Sequence, residues 1–442
     1  MEFPLIEKKW NKNNHGMDIV YPNKYYGGVY CLGPLIVYNI VNSMENWNCN
    51  RVFLDKGSIS SKLIGFTLQY ELDYYNVLKM LKNAGIPADK SMRKEIVFAG
   101  GPCISTNPYT LSDYFDFAML GDVEETLPQV LRIFESSKSK EDFLKNIADI
   151  KGVFVYGITS NPDYARVTDF NNAPYPLYQP FEQELDGNFV FGKTFMLEVE
   201  RGCIFKCRFC SLPQLSNTTG FRSMEKIKEI IDTGLELNNR NHVSIYAPSF
   251  IHPERNKIMK YLLEKKVTFT VPAIKIERID YEFLSLVKAG GTRSITLAPE
   301  CNEELRSSVG KYYSDEKLFE IVKMAEDIGF EGIKYYFLIG LPQQTDNDIE
   351  KMATLALSLK SKFKGKTYFS INPLVAKSRT SFEGIQFDRK IINHQAKLLT
   401  SLMKKNKVKI KPINVSTSFT EWKLSNALSF SKPRADHLHN DA

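Results

Sequence analysis

The sequence has few cysteines and no long apolar run, and both shortages narrow the classes of protein it can represent. Seven cysteines in 442 residues do not suggest a disulfide framework and fit a reducing compartment, so we expect a cytoplasmic protein. No stretch approaches the roughly 18 apolar residues of a transmembrane helix, and residues 1–14 lack the apolar core of a signal peptide. With 43% hydrophobic and 25% charged residues, the chain is expected to be soluble, with a sizeable core and more than one domain.

Histidine is scarce as well. The chain has six histidines, and His15 is the only one before His242. No second pair of cysteines and no pair of histidines has the spacing of a zinc site. The net charge of +7 is weak evidence about partners. The first half of the chain therefore offers little for a histidine-based metal centre.

Three of the seven cysteines lie close together, namely Cys203, Cys207 and Cys210. Three thiolates at this spacing can hold three irons of a cubane cluster and leave the fourth iron open for chemistry. Two other interpretations stay open. The thiolates could begin a structural zinc site whose fourth ligand comes from elsewhere, or they could form one buried stripe of a helix. Gly202 before the cysteines and the charged Lys206 and Arg208 between them favour a loop.

The segment with Phe209 just before its last cysteine resembles the signature of the radical S-adenosylmethionine (SAM) superfamily. In that family the open iron binds the amine and carboxylate of SAM. A reduced [4Fe–4S] cluster then cleaves SAM to methionine and a 5′-deoxyadenosyl radical, which removes hydrogen from an unactivated carbon. The resemblance implies that Cys203, Cys207 and Cys210 hold the cluster. It also implies an external one-electron reductant of the ferredoxin or flavodoxin type.

Residues 1–170 are predicted to form a first domain with an α/β fold. Short apolar runs predict strands at 19–21, 51–54, 63–66, 95–99 and 115–120, and helices are predicted at 35–43, 74–84 and 126–134. This alternation predicts parallel strands joined by right-handed crossovers, that is, a doubly wound sheet. Ligands of such sheets bind beyond the carboxyl ends of the strands.

The loops after the third, fourth and fifth predicted strands resemble the cobalamin-binding domain that precedes the radical SAM domain in a large subfamily. The similarity lies in residues 69–72, 99–102 and 121–125. It implies cobalamin-binding residues, which are Gln69, Tyr70, Gly100, Gly101, Gly121 and Glu124. Paired glycines let a ligand approach the backbone closely. Glu124 and Glu125 open a predicted helix, however, so a capping role is an alternative for them.

The well-known cobalamin signature, Asp-x-His-x-x-Gly, is absent from the chain. Its histidine ligates the cobalt from below, and His15 lies outside any such motif. Either cobalamin binds here without a histidine ligand, or the domain only supports the rest of the protein. We expect that cobalamin binds.

Residues 171–192, with three prolines, are predicted to be a linker, and residues 193–385 a second domain. Six strands are predicted at 196–200, 242–246, 268–271, 294–297, 332–338 and 368–371. They match the partial (β/α)6 barrel that the radical SAM resemblance implies, with active-site residues at the carboxyl ends of the strands. Residues 386–442 are predicted to be a helical C-terminal segment with a polar tail, which covers the barrel and selects the substrate.

The resemblance also implies a SAM site at the ends of the second, fourth and fifth barrel strands. Its candidate residues are Ala247, Pro248, Ser249, Glu300, Arg306, Lys311, Gly340 and Pro342. A carboxylate needs a cationic or donor-rich partner, so either Arg306 or Lys311 could meet the SAM carboxylate. An ordinary turn would also explain Gly340 and Pro342. Tyr335 and Tyr336 lie in the fifth strand, where one parity faces the interior, and are candidates to line the cavity or simply fill the barrel.

Radical methylation at carbon, with cobalamin as the methyl carrier, is the leading hypothesis. Ring closure or carbon–carbon bond formation, for example on lipids, is an alternative. A methylthiotransferase acting on RNA or protein would need a second cluster, for which Cys31, Cys49 and Cys103 are too scattered. An iron–sulfur electron carrier gains nothing from an open iron. The sequence does not define the substrate, and we expect a monomer or a homodimer.

Overall fold

In the computed structural model, residues 14–181, 192–215 and 219–429 are described, and the chain divides into two compact units. The first unit contains residues 8–167 and 423–442, and the second contains residues 1–7 and 168–422. The sequence assigned residues 423–442 to a C-terminal segment. They group with the first unit because Leu424 is buried in its core and Asn107 Nδ2 donates hydrogen bonds to the carbonyls of Ser425 (3.0 Å) and Ala427 (2.9 Å). Residues 430–442 of the predicted tail lie outside the described residues.

The first unit is built on a six-stranded sheet. Its strands are β1 (His15–Tyr21), β2 (Trp47–Phe53), β3 (Leu63–Thr67), β4 (Ile96–Gly100), β5 (Phe117–Met119) and β6 (Val153–Val155). Their order is β2-β1-β3-β4-β5-β6, with the first five parallel and β6 antiparallel to β5. From β1 the sheet is extended first to β2 on one side and then to β3, β4 and β5 on the other side. This order confirms the predicted doubly wound sheet, and its switch point lies between β1 and β3. The short β6 was not predicted.

Six helices accompany this sheet. They are α1 (Tyr25–Gly28), α2 (Leu32–Ser43), α3 (Tyr74–Asn83), α4 (Pro102–Thr106), α5 (Thr126–Ser136) and α6 (Lys140–Ile147), with 3₁₀ turns at Glu71–Asp73 and Lys90–Met92. The three predicted helices are found, two of them two or three residues longer than predicted and α3 one residue shorter. In α6 the Ser139 hydroxyl accepts a hydrogen bond from the Asp142 backbone N–H, an N-cap that fixes where the helix begins.

Among its described residues, the second unit contains eight strands. They are β7 (Phe195–Glu198), β8 (Glu200–Arg201), β9 (Gly220–Phe221), β10 (His242–Tyr246), β11 (Thr268–Thr270), β12 (Ser294–Glu300), β13 (Gly332–Ile339) and β14 (Lys366–Pro373). The six predicted barrel strands form two parallel three-stranded sheets, ordered β11-β10-β7 and β12-β13-β14. The short β8 and β9 pair antiparallel between the first barrel strand and the second.

Helices follow the barrel strands in turn. They are α7 (Leu212–Leu215), α8 (Met224–Asn238), α9 (Arg255–Glu264), α10 (Tyr281–Ala289), α11 (Glu303–Arg306), α12 (Asp315–Ile328), α13 (Asp346–Ser361), α14 (Arg389–Lys405) and α15 (Val415–Asn426), with 3₁₀ turns at Ile276–Arg278 and Ser307–Val309. Gly234 of α8 packs so closely that a Cβ there would lie 2.2 Å from the Phe195 ring of β7. The face of the strands that carries Phe195 is thus the helix-covered face. We call the opposite face, which carries Ser244 and Tyr336, the inner face.

Part of the predicted linker belongs to the second unit. The side-chain amide of Gln179 donates from Nε2 to the Met196 carbonyl (2.9 Å) and accepts from the Met196 N–H (2.8 Å). These two hydrogen bonds attach the linker residue to the backbone of β7. The remainder of that linker, residues 182–191, lies outside the described residues. Within the described ranges, no helix has the length and apolar character needed to cross a membrane.

Candidate functional site

The three clustered cysteines lie on an irregular loop, residues 202–210, which we call the cysteine loop. The loop begins at Gly202, whose φ of 88° is in the left-handed region that favours glycine. It directly follows β8, which comes after β7 in the chain, and it precedes β9. The cysteines are therefore not a stripe on a helix.

The thiols of the loop influence one another. Cys203 is buried, and Cys207 and Cys210 are half-buried. Burial raises the pKa of the Cys210 thiol, and repulsion from Cys207 and Cys203 adds to that rise. All seven cysteines of the chain are free thiols. The loop thus gathers three sulfur ligands within electrostatic range of one another.

No three His, Cys, Asp or Glu side chains of residues 14–181, 192–215 and 219–429 are arranged around a point to hold a single metal ion. Thiolates that each bind a different iron of a cluster need not converge on one point. The donor set is three thiols on one loop, and thiolates are the ligands that iron–sulfur clusters use. The cysteine loop therefore fits a [4Fe–4S] cluster with one iron left without a cysteine.

The end of the second barrel strand is tied to the cysteine loop through Ser249. Its hydroxyl lies 3.8 Å from the Cys203 sulfur and 3.5 Å from Oε1 of Glu200. Glu200 is buried and accepts hydrogen bonds from the N–H groups of Ser249 (3.2 Å) and Ile251 (2.9 Å). Burial raises the pKa of Glu200, and these backbone donors oppose that rise. The sequence did not single out Glu200, because its partners lie about 50 residues further along the chain.

The other two residues predicted with Ser249 are less enclosed. Ala247 and Pro248 are partly exposed and lead directly from β10 to Ser249. Their position at the carboxyl end of a barrel strand is the predicted one.

The end of the fourth barrel strand holds a buried ion pair. Lys311 Nζ lies 2.8 Å from Oε1 of Glu300 and 2.6 Å from the Ala298 carbonyl. It also lies 6.0 Å from the centre of the Phe209 ring, which belongs to the cysteine loop. Glu300 is therefore not an exposed loop carboxylate, and the pair it forms with Lys311 lies beside the cysteine loop.

Arg306 has different partners. Its guanidinium donates to Asp315 (2.5 Å) and to the Tyr313 carbonyl (2.8 Å). The side chain is 1% exposed. Of the two cations considered for the SAM carboxylate, Lys311 lies beside the cysteine loop, while Arg306 fastens the segment that carries Lys311.

The end of the fifth barrel strand packs on a helix. The Gly340 N–H donates to Oε1 of Gln395 (2.8 Å), and a Cβ on Gly340 would lie 2.8 Å from Ile392. Both partners belong to α14. Contact with this helix, together with the φ of 74°, explains the glycine without a ligand. Pro342 is partly exposed in the turn that follows.

Tyr335 and Tyr336 occupy opposite faces of β13. Tyr335 is fully buried and stacked on Phe369 with ring centres 5.4 Å apart, so it fills the layer under the helices. Tyr336 is partly exposed on the inner face, with Lys334 Nζ 4.6 Å from its ring centre. Of the two, only Tyr336 is placed to line a cavity.

The loops predicted to bind cobalamin follow three neighbouring strands of the first sheet, β3, β4 and β5, and so share one edge. Gln69 and Tyr70 are partly exposed there, and Gln69 Nε2 donates to the Thr67 hydroxyl (2.9 Å). Glu124 is buried, and its carboxylate accepts from the Val123 N–H (3.0 Å). The N-cap of α5 is Glu125, which makes no side-chain capping hydrogen bond, so the capping role considered as an alternative is not found.

Close contacts within the protein explain two of the glycines at this edge without a ligand. A Cβ on Gly101 would lie 2.7 Å from the Leu68 carbonyl, and one on Gly121 would lie 2.2 Å from the Ala165 carbonyl. Gly100 has more room, with its nearest atom at 3.5 Å. His15, in contrast, begins β1 at the opposite edge and packs on Trp47. It is therefore not placed to ligate cobalt at the carboxyl edge.

Lys275 is a site residue that the sequence reasoning missed. It follows β11, and its Nζ lies 3.0 Å from the Cys207 sulfur. The signal that could have found it is its position five residues after the end of the third barrel strand, a strand end that was not considered. Lys275 thus brings a positive charge to the cysteine loop.

Two stretches of the chain match known families. Residues 58–156 match the family of radical SAM proteins, N-terminal, and residues 197–356 match the radical SAM superfamily. The second stretch contains the cysteine loop, Glu300 and Lys311. Together the two matches cover more than half of the chain.

Individual proteins and solved structures are similar as well. An uncharacterized protein of Methanocaldococcus jannaschii is 28% identical over 84% of this chain and 79% of its own length. A putative methylthiotransferase of the same organism is 23% identical over 73% of this chain and 71% of its own. The radical S-adenosylmethionine methyltransferase TsrM from Kitasatospora setae, solved with cobalamin and a [4Fe-4S] cluster, gives a TM-score of 0.60 at 15% identity over 81% of this chain and 72% of TsrM. A second TsrM structure contains tryptophan substrate and a SAM analog. This likeness shows a shared fold.

Proposed function

Because the chain belongs to the radical SAM superfamily and is a radical SAM enzyme, we propose that it transfers a methyl group to carbon with the help of cobalamin. The observation that carries the proposal is the cysteine loop, which places three thiols beside a buried carboxylate–ammonium pair, Glu300 and Lys311. When bound, a reduced [4Fe–4S] cluster supplies the electron that cleaves SAM to methionine and a 5′-deoxyadenosyl radical. Cys203, Cys207 and Cys210 would each hold one iron.

The chain's own groups suit a zwitterionic ligand. The methionyl part of SAM carries an ammonium and a carboxylate, and both need charged or donor partners when water is excluded. Glu300 offers acceptors to the ammonium, and Lys311 offers donors to the carboxylate. Ser249 and the backbone from Ala247 onward supply further polar groups at the neighbouring strand end. Gly340 and Pro342 are proposed to contact the adenine of SAM, although packing on α14 accounts for the glycine.

The first unit is proposed to bind cobalamin at the carboxyl edge of its sheet. Ligands of doubly wound sheets bind at the switch point, which lies here between β1 and β3. Gln69 and Tyr70 follow β3 directly and are partly exposed. The fold shared with TsrM, a cobalamin-containing methyltransferase, supports the same assignment. No histidine of the described residues lies at this edge, so the proposal is for cobalamin without a histidine ligand.

The inner face of the barrel strands favours a polar substrate over a lipid. The Ser244 hydroxyl lies 3.0 Å from that of Thr194 and 3.2 Å from that of Thr270, so a row of hydroxyls crosses three neighbouring strands. Lys334 and Tyr336 are on the inner face of the other sheet. The hydroxyls bond to one another and can form further hydrogen bonds with a polar ligand, whereas alkyl chains would offer the Lys334 ammonium no hydrogen-bond acceptor.

A methylthiotransferase is the second candidate, since one similar protein is described as a putative member of that class. Such an enzyme would need a second cluster in the first unit. Burial raises the pKa of Cys31 to about 11 and raises that of Cys49 further. Cys49 lies inside β2, and Cys103 lies in α4. Cys31 precedes α2, so the three thiols do not share a loop as Cys203, Cys207 and Cys210 do, and these positions favour methyl transfer without sulfur insertion.

The test uses reconstituted full-length protein. With reductant and SAM, we expect 5′-deoxyadenosine, and its absence from protein with an intact cluster would overturn the radical SAM chemistry. Extracts of a gene-deletion strain, incubated with the enzyme, cobalamin and SAM carrying a deuterated methyl group, should yield a product that holds the label. A product that gains sulfur as well would favour the methylthiotransferase, and a labelled lipid would contradict the polar substrate.

A further inference from the structure

The side chain of Lys275 reaches the cysteine loop at two points. Its Nζ lies 3.0 Å from the Cys207 sulfur and 4.4 Å from the centre of the Phe205 ring. Phe205 and Cys207 are two positions apart in the same loop. The ammonium is thus held by a cation–π contact on one side while it donates to sulfur on the other. Two independent contacts fix its position better than either alone.

The position of Lys275 in the fold restricts its movement as well. Lys275 is the residue just before the 3₁₀ turn Ile276–Arg278, and both Ile274 and Ile276 are buried. The backbone that carries the lysine is therefore anchored on both sides by core residues.

The other cations of the loop are arranged differently. Lys206 is exposed, although it immediately precedes Cys207. Arg208, also exposed, donates to the Ser308 carbonyl (3.3 Å) and lies 5.2 Å from the centre of the Phe382 ring. Charges in contact with water are screened, whereas a charge that donates directly to a ligand atom is not. Of Lys206, Arg208 and Lys275, Lys275 is therefore the one that interacts most strongly with a cysteine sulfur.

We propose that Lys275 is a positioning residue that hydrogen-bonds the Cys207 thiolate of the bound cluster and raises the cluster's reduction potential. Hydrogen bonds to cluster sulfurs are among the factors that set this potential. In the reduction step the cluster accepts one electron from a one-electron carrier, and its charge becomes more negative by one. A fixed positive donor stabilises the reduced state more than the oxidised state. This inference rests on the proposed function only in that Cys207 must bind iron.

The test is an EPR-monitored potentiometric titration of the reconstituted cluster, carried out without SAM so that any role of Lys275 toward SAM does not contribute. At the potential where the wild-type cluster is half reduced, we expect Lys275→Met to show a ratio of reduced to oxidised cluster lower by about threefold to tenfold, where tenfold corresponds to about 59 mV for one electron. Lys275→Arg keeps a cationic donor and should stay close to wild type. Lys206→Met removes an equal charge from the residue next to Cys207 and is the matched control, with a smaller shift than Lys275→Met.

Two outcomes would overturn the inference. One is an unchanged midpoint in Lys275→Met protein with full iron content. The other is an equal shift in Lys206→Met, which would reveal a general charge effect without a hydrogen bond. If Lys275→Met cannot hold a cluster, wild-type protein labelled with ¹⁵N-lysine decides the matter. Its reduced cluster should couple to a lysine nitrogen in pulsed EPR, and Lys275→Arg should lose that coupling, so a wild type without it contradicts the inference. A wild type that assembles no cluster would instead refute the proposed function.

Discussion

Glu300 and Lys311 form an ion pair at the carboxyl end of β12, with 2.8 Å between the Lys311 nitrogen and the Glu300 oxygen. Their side chains are 9% and 8% exposed, so both charges are largely removed from water. Glu300 has a φ of 66°, which is unusual for a residue other than glycine, and the register between β12 and β13 shifts just before it. Backbone strain of this kind persists only where surrounding structure enforces it, and it is common at functional sites.

The first prediction concerns this pair. Glu300→Ala leaves the ammonium of Lys311 buried without its partner, so we expect the free energy of unfolding to fall by roughly 3–5 kcal/mol. If the carboxylate also binds SAM, SAM cleavage should weaken by roughly 1–3 kcal/mol, the scale of a charge-assisted hydrogen bond. Urea unfolding and 5′-deoxyadenosine production measure the two effects. The cluster spectrum should not change, because Glu300 is not a cluster ligand.

The matched control is Glu304→Ala, which breaks the exposed pair of Glu304 and Lys351 in the same region. An exposed pair contributes little, so this variant should keep both stability and SAM cleavage. Unaltered SAM affinity and cleavage in Glu300→Ala and in a Lys311→Met variant would show that the pair is purely structural.

The second prediction concerns the cysteine loop. Alanine at Cys203, Cys207 or Cys210 should abolish the brown absorbance and the content of about four irons and four sulfides after anaerobic reconstitution. Alanine at Cys301 or Cys103 is the control, because both are buried core residues outside the cysteine loop, although Phe209 of the loop packs on the core cluster that contains Cys301. An intact cubane in the triple variant would contradict the central assignment.

The strands were predictable because apolar runs of regular spacing identify them, and all six barrel strands were found within a few residues. The cysteine triplet could also be predicted to be functional, because its function depends on the spacing of nearby residues. Contacts between segments that are distant in the sequence could not be predicted. The position of Lys275 after the third barrel strand could suggest a site residue but not its contact with Cys207, and nothing near Arg306 shows that Asp315 holds it. Gly340 shows another contact that the sequence did not reveal, since Ile392 of α14 supplies a packing reason for a glycine that the resemblance assigned to a ligand.

The third prediction tests the cobalamin edge. Gln69 and Tyr70 are partly exposed, so alanine at either should leave the fold intact. Loss of a contact to bound cobalamin should cost about 1 kcal/mol, or roughly fivefold in the dissociation constant. Retention of hydroxocobalamin after gel filtration, followed by absorbance, measures this. Met92→Ala is the control, because Met92 is 73% exposed and precedes β4 at the opposite edge. Equal retention of hydroxocobalamin in all variants would show that cobalamin does not contact Gln69 or Tyr70.

The fourth prediction is a pH dependence at the switch point of the first sheet. Burial raises the pKa of Asp73 to about 6, although hydrogen bonds from Asn23 and Asn76 oppose that rise. An unfolded aspartate titrates near pH 4, so the folded state binds more protons between about pH 4 and 6. The stability from this group is present below about pH 4 and is lost as the pH rises through about 6. This loss of stability is absent from Asp73→Asn. The difference between the urea midpoints of the wild type and the variant should therefore grow from pH 4 to pH 6.5. Parallel midpoints would show that Asp73 titrates normally.

The last prediction uses two glycines with similar backbone angles and different surroundings. Gly310 has a φ of 78°, and a Cβ there would lie 2.5 Å from the Lys206 carbonyl of the cysteine loop. Gly329 has a φ of 86° and nothing within 4 Å of a Cβ. Alanine at either site costs about 1–2 kcal/mol for the left-handed backbone. Only Gly310→Ala must also displace the loop, where the Arg208 N–H donates to the Val309 carbonyl (3.1 Å). We therefore expect a chelator to remove iron faster from Gly310→Ala than from Gly329→Ala, even where the two variants have the same thermal stability. Equal rates of iron loss would show that the cysteine loop holds its cluster without support from this segment.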